Sequence, residues 1–551
     1  MQHPITTLTR SNYFLFGLFA VAFLLCLFNA WGYPIFIVDE ARNSACAMEM
    51  FQSHHWFLPT YNYTLRTDKP PLHYFFMMLA YKSFGINVFG ARFFSALFGA
   101  STITIVYHHT KKWLGDLTAF WSAFILLVSI HFIFESHLGV PDPYLIFFFT
   151  ATCLYFYKGI QSNSLRDFLW MYLFMALGFL SKGPIAILLP SVIFLIYLLI
   201  TKRLSWSQIA QMKPLVGLLI VLAITVPWFV INGLQTDGTW TQGFFLKHNV
   251  GRFSQSMEGH HGPFFLPTLY ILLGLFPFSF ILPQAISYLY QRRHRLHNYR
   301  LNYDTQGGTG FLLFSIIAAA VVLVFFSISQ TKLIHYTLPT YPFLAILIGF
   351  YLAQPRIRFY NIRASYWISL LIAPLIPIAA NVGMQLDPSL ALIHQYALWL
   401  IILPAGILVA FFLRHDLYTH LTAVGITTTL TSLVFFGILA PKIGQQDPVQ
   451  QTLPALQDRP VGHVGRFAAA YPFYLRRPII DVAPAEISSF FARHPDGILI
   501  GRRRAFQHIT LTVPCDTIYL GKDIFEETQI LAIALRKHRF SAQAHKAVHQ
   551  P

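Results

Sequence analysis

The chain has 551 residues, of which 55% are hydrophobic and only 11% charged, with a formal net charge of +17. A soluble protein of this size carries about 25% charged residues, so a water-soluble globular enzyme is excluded. Apolar runs of about 17–25 residues recur from Tyr13 to Ala440, each long enough to cross a bilayer. The runs are continuously apolar rather than alternating, which excludes a transmembrane β-barrel. The fold class expected is an all-α polytopic membrane protein with a small C-terminal α/β domain.

The first run, Tyr13–Gly32, is followed by Trp31-Gly32-Tyr33-Pro34 rather than by a small-residue cleavage pattern. It reads as an anchored first helix. The loop after it, Val38–Leu72, opens with V-D-E-A-R (Val38–Arg42) and closes with T-D-K-P-P-L (Thr67–Leu72). It holds Asp39, Glu40, Arg42, Glu49, Asp68 and Lys69. Charges at a membrane boundary are costly when unpaired and mark functional sites. Pro71–Phe84 is apolar but short and interrupted by His73 and Lys82, and reads as a helix lying in the interface.

Further spans are expected at Phe89–His108, Leu117–Phe134, Pro143–Tyr157, Phe168–Leu180, Ile185–Ile200, Leu215–Ile231 and Leu266–Leu289. Others follow at Phe311–Ser329, Tyr336–Leu352, Trp367–Val382, Ala397–Leu413 and Leu421–Leu439, which makes about thirteen in all. With the N-terminus in the cytoplasm, sixteen Lys and Arg fall on inner loops against eight on outer ones, as the positive-inside rule requires. Asp39, Asp68, Lys69, Asp142, Lys182, Lys247, Arg252, Lys332 and His335 then share the outer face.

Two connections are long. Gln235–Pro263 carries Asp237, Lys247, His248, Arg252, Glu258, His260 and His261 among glycines, and is either a lid or a disordered link. Gln291–Asp304 is basic and fixes topology. From Pro441 the pattern changes. Val461–Phe467, Ile479–Val482, Gly497–Gly501 and Thr517–Leu520 read as strands, and Ala483–His494 and Phe525–Arg539 as helices. The division expected is a transmembrane catalytic domain at 1–440, with outer loops 33–88 and 232–265, and an outer α/β domain at 441–551. Its arginines beside a membrane suit anionic lipids. No nucleic-acid-reading motif accompanies the basic charge.

Asp39 alone could be a helix cap, but Glu40, Arg42 and Lys69 add charge of both signs that a cap does not need. Lys69 or Arg42 would keep Asp39 ionised and could bind a phosphate. Asp142, between Pro141 and Pro143, brings a second carboxylate to the same face. Lys182 in S-K-G-P (Ser181–Pro184) and Lys332 with His335 and Tyr336 are either snorkelling cations or part of a cation ring for a lipid phosphate. Cys26, Cys46, Cys153 and Cys515 match no metal or disulfide spacing, and the histidines show no zinc-ligand spacing. No cofactor is required and a divalent metal is not indicated.

These motifs resemble the bacterial 4-amino-4-deoxy-L-arabinose lipid A transferases, within the protein O-mannosyltransferase-like GT-C glycosyltransferases. The residues that carry the likeness are D-E-A-R after the first helix, D-K-P-P-L about thirty residues on, the proline-flanked Asp142 and S-K-G-P. The chain departs from the pattern at Asp68, where Glu is expected before the Lys. The resemblance implies a GT-C fold, an inverting transfer from an undecaprenyl-phosphate-linked sugar to lipid A or another periplasmic acceptor, and a monomer in the bacterial inner membrane. It implies Asp39 and Asp142 as catalytic, Lys69 as a donor-phosphate ligand, Arg42 as the motif's arginine, and Arg252 and Tyr336 as polar residues lining the cavity; Glu40, His248 and Lys332 are expected to bind substrate from their place on the outer face. A protein O-mannosyltransferase-like enzyme with another sugar or a protein acceptor, and a lipid-linked sugar transporter, are the alternatives.

Overall fold

The structure, a computed structural model, describes residues 9, 11, 13–251, 261–291, 308–507, 509, 513–524 and 528–536. Arg252, much of Gln291–Asp304 and part of Phe525–Arg539 lie outside the described residues. The chain opens with α1 (Phe14–Leu27), apolar on all sides, as a helix between lipid and neighbouring helices must be. Next come α2 (Val38–Ser53), a hairpin of β1 (Thr60–Tyr61) and β2 (Thr64–Leu65), and α3 (Leu72–Phe84). The helix expected at 71–84 is thus formed. It buries His73, Tyr74, Met77, Met78, Ala80 and Tyr81 and packs against α2 and against α4 (Val88–Leu114).

The run at 117–134 is broken. α5 (Asp116–Val128) and α6 (Ile130–Ser136) meet at 65°. The break falls at Ser129, whose hydroxyl accepts from the Phe132 amide and donates to the Gly274 carbonyl at 2.8 Å. A serine that bonds to backbone competes with the helix ladder. The bend sets up the turn into α7 (Asp142–Ser162), followed by α8 (Leu165–Lys182), α9 (Ile185–Ile200) and α10 (Pro214–Gln235). The run at 266–289 bends by 113° between α11 (Leu266–Gly274) and the helical segment Phe278–Gln291. α12 (Gly308–Ile328), a 3₁₀ turn at Ile334–Thr340 and α13 (Tyr341–Leu352) complete the helices around the cavity described below.

Each expected span meets helix, but among the described residues six helices are individually long and apolar enough to cross a membrane, or eight if each bent pair is one span. That is fewer than the thirteen expected. α1 and α9 are apolar but have 14 and 16 residues, while α7 and α8 begin or end on the charged residues Asp142 and Lys182.

The C-terminal region holds a five-stranded mixed sheet. In chain order its strands are β3 (Val461–Val464), β4 (Ile480–Asp481), β5 (Ile498–Arg502), β6 (Cys515–Lys522) and β7 (Gln529–Leu535), and in the sheet they stand β4-β3-β5-β7-β6. β3 runs parallel to β4 and β5; β7 runs antiparallel to β5 and β6. The helix expected at Phe525–Arg539 is corrected here, because Gln529–Leu535 is a strand. Its apolar run is short, and pairing on both edges buries it as a sheet interior.

This sheet shares a core with α2. Ala41, Ala45, Met48 and Tyr74 cluster with Val449, Tyr471, Ile498 and Ala532. The hairpin is the clasp. Glu49 accepts from Thr60 Oγ1 (2.6 Å) and from the Asn62 and Tyr63 amides (2.8 and 2.9 Å). Asn62, at φ 51°, exchanges two hydrogen bonds with the Ile479 backbone. The sheet domain therefore sits on the same side as the start of α2.

Candidate functional site

Asp39 lies in the first turn of α2, where the helix dipole favours a carboxylate. Successive helical residues point about 100° apart, which separates Asp39 from its neighbour. Glu40 turns into the core, fully buried, where Arg92 donates to it at 2.6 and 2.9 Å and the Gly139 amide donates at 2.8 Å. Arg92 also donates to the carbonyls of Ala30 and Tyr33. Glu40 therefore has no face left for a substrate, and its expected binding role gives way to a structural one.

Asp39 keeps a side chain 40% exposed, with Oδ2 3.8 Å from the Nζ of buried Lys69. Lys69 is aimed by its own loop. Arg66 forks Asp68 at 2.5 and 2.9 Å, and the Arg66 carbonyl accepts from Trp240 Nε1 at 2.8 Å. Pro70 and Pro71 then fix the backbone into α3. Lys69 holds the Asp39 carboxyl well below the usual carboxylate range, against the opposing effect of burial. Burial raises the Asp68 carboxyl, but the Arg66 charge and hydrogen bond outweigh it and the net shift is downward.

Asp142 opens α7 and is ion-paired with Lys182 at the end of α8. The Lys182 ammonium lies 5.6 Å from the Tyr336 ring centroid. His335, next to Tyr336 on the 3₁₀ turn, is pushed down to about 4, chiefly by burial, with Asp142 opposing. It is therefore neutral at physiological pH.

Lys69 and Asp68, Asp142 and Lys182, and His335 and Tyr336 line one cavity of about 940 Å³ that opens to solvent, while Asp39 stands behind Lys69 and is not part of the lining. The polar part of its wall is Asp68, Lys69, Asp142, Lys182, His248, His335 and Tyr336. The apolar part runs down the helices: Leu145, Ile146 and Phe149 on α7, Ile185 and Leu189 on α9, Phe325 and Phe326 on α12. Asp142, Leu145, Ile146 and Phe149 follow at helical spacing, so one face of α7 passes from charge to grease. Such a wall suits a ligand with an anionic head and a hydrocarbon tail.

His248 reaches the wall from Gly243–Gly251, within the described part of the expected lid. Gly243 is required there, since a Cβ would stand 2.6 Å from Thr67 Oγ1. Lys332 is buried beside the cavity, with its ammonium donating to the Ser329 carbonyl at 2.6 Å. Arg42, one turn past Asp39, does not line the cavity; its charge acts on Tyr61 and on Arg502 of the sheet domain. Arg252 lies outside the described residues. Glu135 was missed by the sequence reading. It is buried within electrostatic reach of Asp142, Lys182 and Asp39, and its only signal was a lone carboxylate directly after an apolar run. Among the described residues no cluster of three or more His, Cys, Asp or Glu is placed to hold a metal.

The sequence pattern of the dolichyl-phosphate-mannose-protein mannosyltransferase family matches residues 68–231, a span that includes Lys69, Asp142 and Lys182. An uncharacterized protein of Aquifex aeolicus (strain VF5) is 30% identical over 357 residues, 65% of this chain and 77% of its own length. An undecaprenyl phosphate-alpha-4-amino-4-deoxy-L-arabinose arabinosyl transferase 2 of Pseudomonas fluorescens (strain Pf0-1) is 28% identical over 358 residues, 64% of this chain and 61% of its own. The crystal structure of ArnT from Cupriavidus metallidurans bound to undecaprenyl phosphate superposes with a TM-score of 0.76 at 20% identity, over 96% of this chain and 99% of that one. That likeness is one of fold.

Proposed function

This chain belongs to the dolichyl-phosphate-mannose-protein mannosyltransferase family of GT-C membrane glycosyltransferases, and on that premise we propose that it moves a sugar from an undecaprenyl-phosphate carrier to lipid A at the periplasmic face. The sugar proposed is 4-amino-4-deoxy-L-arabinose or a related amino sugar. The observation that carries the reading is Lys69, which is paired with Asp39 and lines the polar wall of a cavity whose other wall is hydrocarbon. The carrier's phosphate meets Lys69, and its polyprenyl chain lies along Leu145, Ile146, Phe149 and Leu189. The arabinosyl transferase relatives and the shared fold support the donor and the sugar.

The leaving group is the carrier phosphate. Charge grows on it as the glycosidic bond breaks, and a fixed cation aimed at that charge lowers the barrier. Lys69 is that cation, and Lys182 stands across the cavity with Asp142. Direct displacement at the anomeric carbon inverts its configuration. Asp39 is held well below the ordinary carboxylate range, which makes it a weak general base, since a base works best with a pKa near the operating pH. An acceptor that is already an anion, such as a lipid A phosphate, needs no base. Asp39 then orients Lys69 and can receive the donor's protonated amine.

The test is to incubate purified protein with defined undecaprenyl-phosphate sugars and lipid A and to weigh the products. A mass gain of one aminoarabinose on lipid A is expected. Transfer of another sugar, transfer only to a peptide, or counterflow without any product would overturn the assignment.

A further inference from the structure

The loop from Trp56 to Lys69 has only the short β1–β2 pairing to stiffen it, yet it must hold Lys69 in one place. Three side chains from another part of the chain donate to its carbonyls. Trp228 Nε1 donates to the Trp56 carbonyl at 3.1 Å, Asn232 Nδ2 to the Phe57 carbonyl, and Trp240 Nε1 to the Arg66 carbonyl at 2.8 Å. Among the described residues no backbone amide donates to any of these three carbonyls. Trp228 and Asn232 stand one helical turn apart on α10, so both face the loop. Gly238, at φ 74°, then turns the chain into the short helix Thr239–Gln242 and brings Trp240 back beside Trp228. The two indoles meet edge-on with ring centroids 4.8 Å apart, and Phe244 stacks on Trp240 at 4.9 Å.

Packing alone does not ask for these residue types. Phenylalanine fills an aromatic core equally well, whereas a buried indole N–H needs an acceptor, and a buried carbonyl needs a donor. Trp240 and Asn232 are both fully buried, and each meets that need in the loop. The Arg66 carbonyl that Trp240 holds belongs to the residue whose guanidinium forks Asp68, next to Lys69. Pro70 and Pro71 follow at once, so Lys69 is held between Trp240 on one side and α3 on the other. From Trp240 the same segment runs on through Gly243, seated against Thr67, to His248 at the cavity wall.

We propose that Trp240, with Asn232, is a positioning residue of the donor site: it latches the segment of the expected lid to the loop of Lys69, so that Lys69 and His248 reach the cavity as one unit. The latch follows from the contacts themselves; its effect on the chemistry rests on the proposed sugar transfer.

The test uses Trp240→Phe, which keeps an aromatic ring and removes the N–H, in the full-length protein in detergent. Two readouts are taken. The first is the rate at which N-hydroxysuccinimidyl acetate acetylates Lys69, followed by peptide mass spectrometry, with the exposed Lys82 as internal reference. Lys69 is buried, and releasing its loop should raise that rate threefold or more while Lys82 is unchanged. The second is kcat/KM for sugar transfer, expected to fall about tenfold, within the range for a displacement of about 1 Å. The fall should nearly vanish in a Lys69→Ala background, because a residue that acts through Lys69 has nothing left to position. A merely structural role would cost the same in both backgrounds. Unchanged Lys69 acetylation in folded Trp240→Phe, or an equal loss of transfer with and without Lys69, overturns the proposal. If Trp240→Phe does not fold, Asn232→Ala decides by the same two measures. If the wild type transfers no sugar, the proposed function fails, and the acetylation rates alone decide whether the latch stands.

Discussion

Lys69→Ala removes the cation on which the proposed chemistry turns. Its Nζ is 3.8 Å from Asp39 Oδ2, where two unit charges interact by about 4 kcal/mol at the effective dielectric constant of a protein surface. The Asp39 carboxylate is 40% exposed, and screening leaves about 1 kcal/mol of that, the upper end for exposed pairs. The contact to the donor phosphate, a charge-assisted hydrogen bond, adds about 1.5–3 kcal/mol. The ion pair with Asp39 is made in the free enzyme and counts toward stability, so the donor contact alone, about 1.5–3 kcal/mol, sets the loss at about ten- to a hundredfold in kcat/KM. Initial rates of sugar transfer, measured by mass spectrometry of the product, give the number. Part of the loss is repulsion between the stranded Asp39 and the donor phosphate, so adding Asp39→Asn to Lys69→Ala costs less than the two single losses together, by about 1 kcal/mol.

The pH dependence has a definite sign. Lys69 depresses the Asp39 carboxyl, so the pair stabilises the fold above the unfolded carboxyl value of about 3.9, and that contribution is lost as the pH falls toward the folded value. The melting-temperature gap between wild type and Lys69→Ala should therefore be widest at neutral pH and close below about pH 4. A Lys69→Ala enzyme within about threefold of wild type, less than 1 kcal/mol on the rate scale, would refute the reasoning.

Gly243→Ala places a Cβ against Thr67 and shifts the turn that carries Phe244 and His248. Displacements of about 1 Å cost up to a hundredfold in rate, so a tenfold or greater loss is expected, partly restored by Thr67→Ala, in the same transfer assay. Arg92→Met strands the buried Glu40 carboxylate and costs about 3–5 kcal/mol, seen as a lower melting temperature and folded yield by size-exclusion chromatography; adding Glu40→Gln recovers part of it. A rise in donor KM for folded Glu40→Gln would show that Glu40 touches substrate after all. Ser53 and Ser489 are both exposed, and the shared core of α2 and the sheet puts them on one side. Cysteines placed there, in a Cys515→Ser background, should label from the periplasm, and labelling from the cytoplasm alone would reverse the orientation.

What could be read from the sequence follows from how far each signal reaches along the chain. Long apolar runs report helices because hydrophobicity over a dozen or more residues outweighs any single position, and every expected span meets helix. Asp39 and Lys69 could be paired because two short motifs in one loop carry opposite charges across a short connection. Asp39 and Glu40, by contrast, are adjacent acids of the same kind, and only the phase of α2 decides that one meets Lys69 and the other Arg92. No local pattern encodes that phase, because Arg92 lies on another helix. The same holds for Lys332, whose ammonium is taken up by a nearby backbone carbonyl, and for Gln529–Leu535, whose strand state depends on partners on both edges. The bend at Ser129 was hidden for the opposite reason: one hydroxyl inside an apolar run is too weak a signal to end a span, yet it bonds to Gly274 at a 65° break just before Glu135 and Asp142. In a membrane protein this asymmetry is built in. Lipid rewards apolar runs wherever they point, so the pattern that announces a span says little about which of its few polar residues looks inward. Those residues are costly unless paired, and the pairs Glu40–Arg92, Arg66–Asp68 and Asp142–Lys182 use up most of the charge near the cavity. Lys69, with a longer and half-exposed partner at 3.8 Å, is the cation least committed to its own acid, and that is the condition a group must meet to release its carboxylate and take a phosphate.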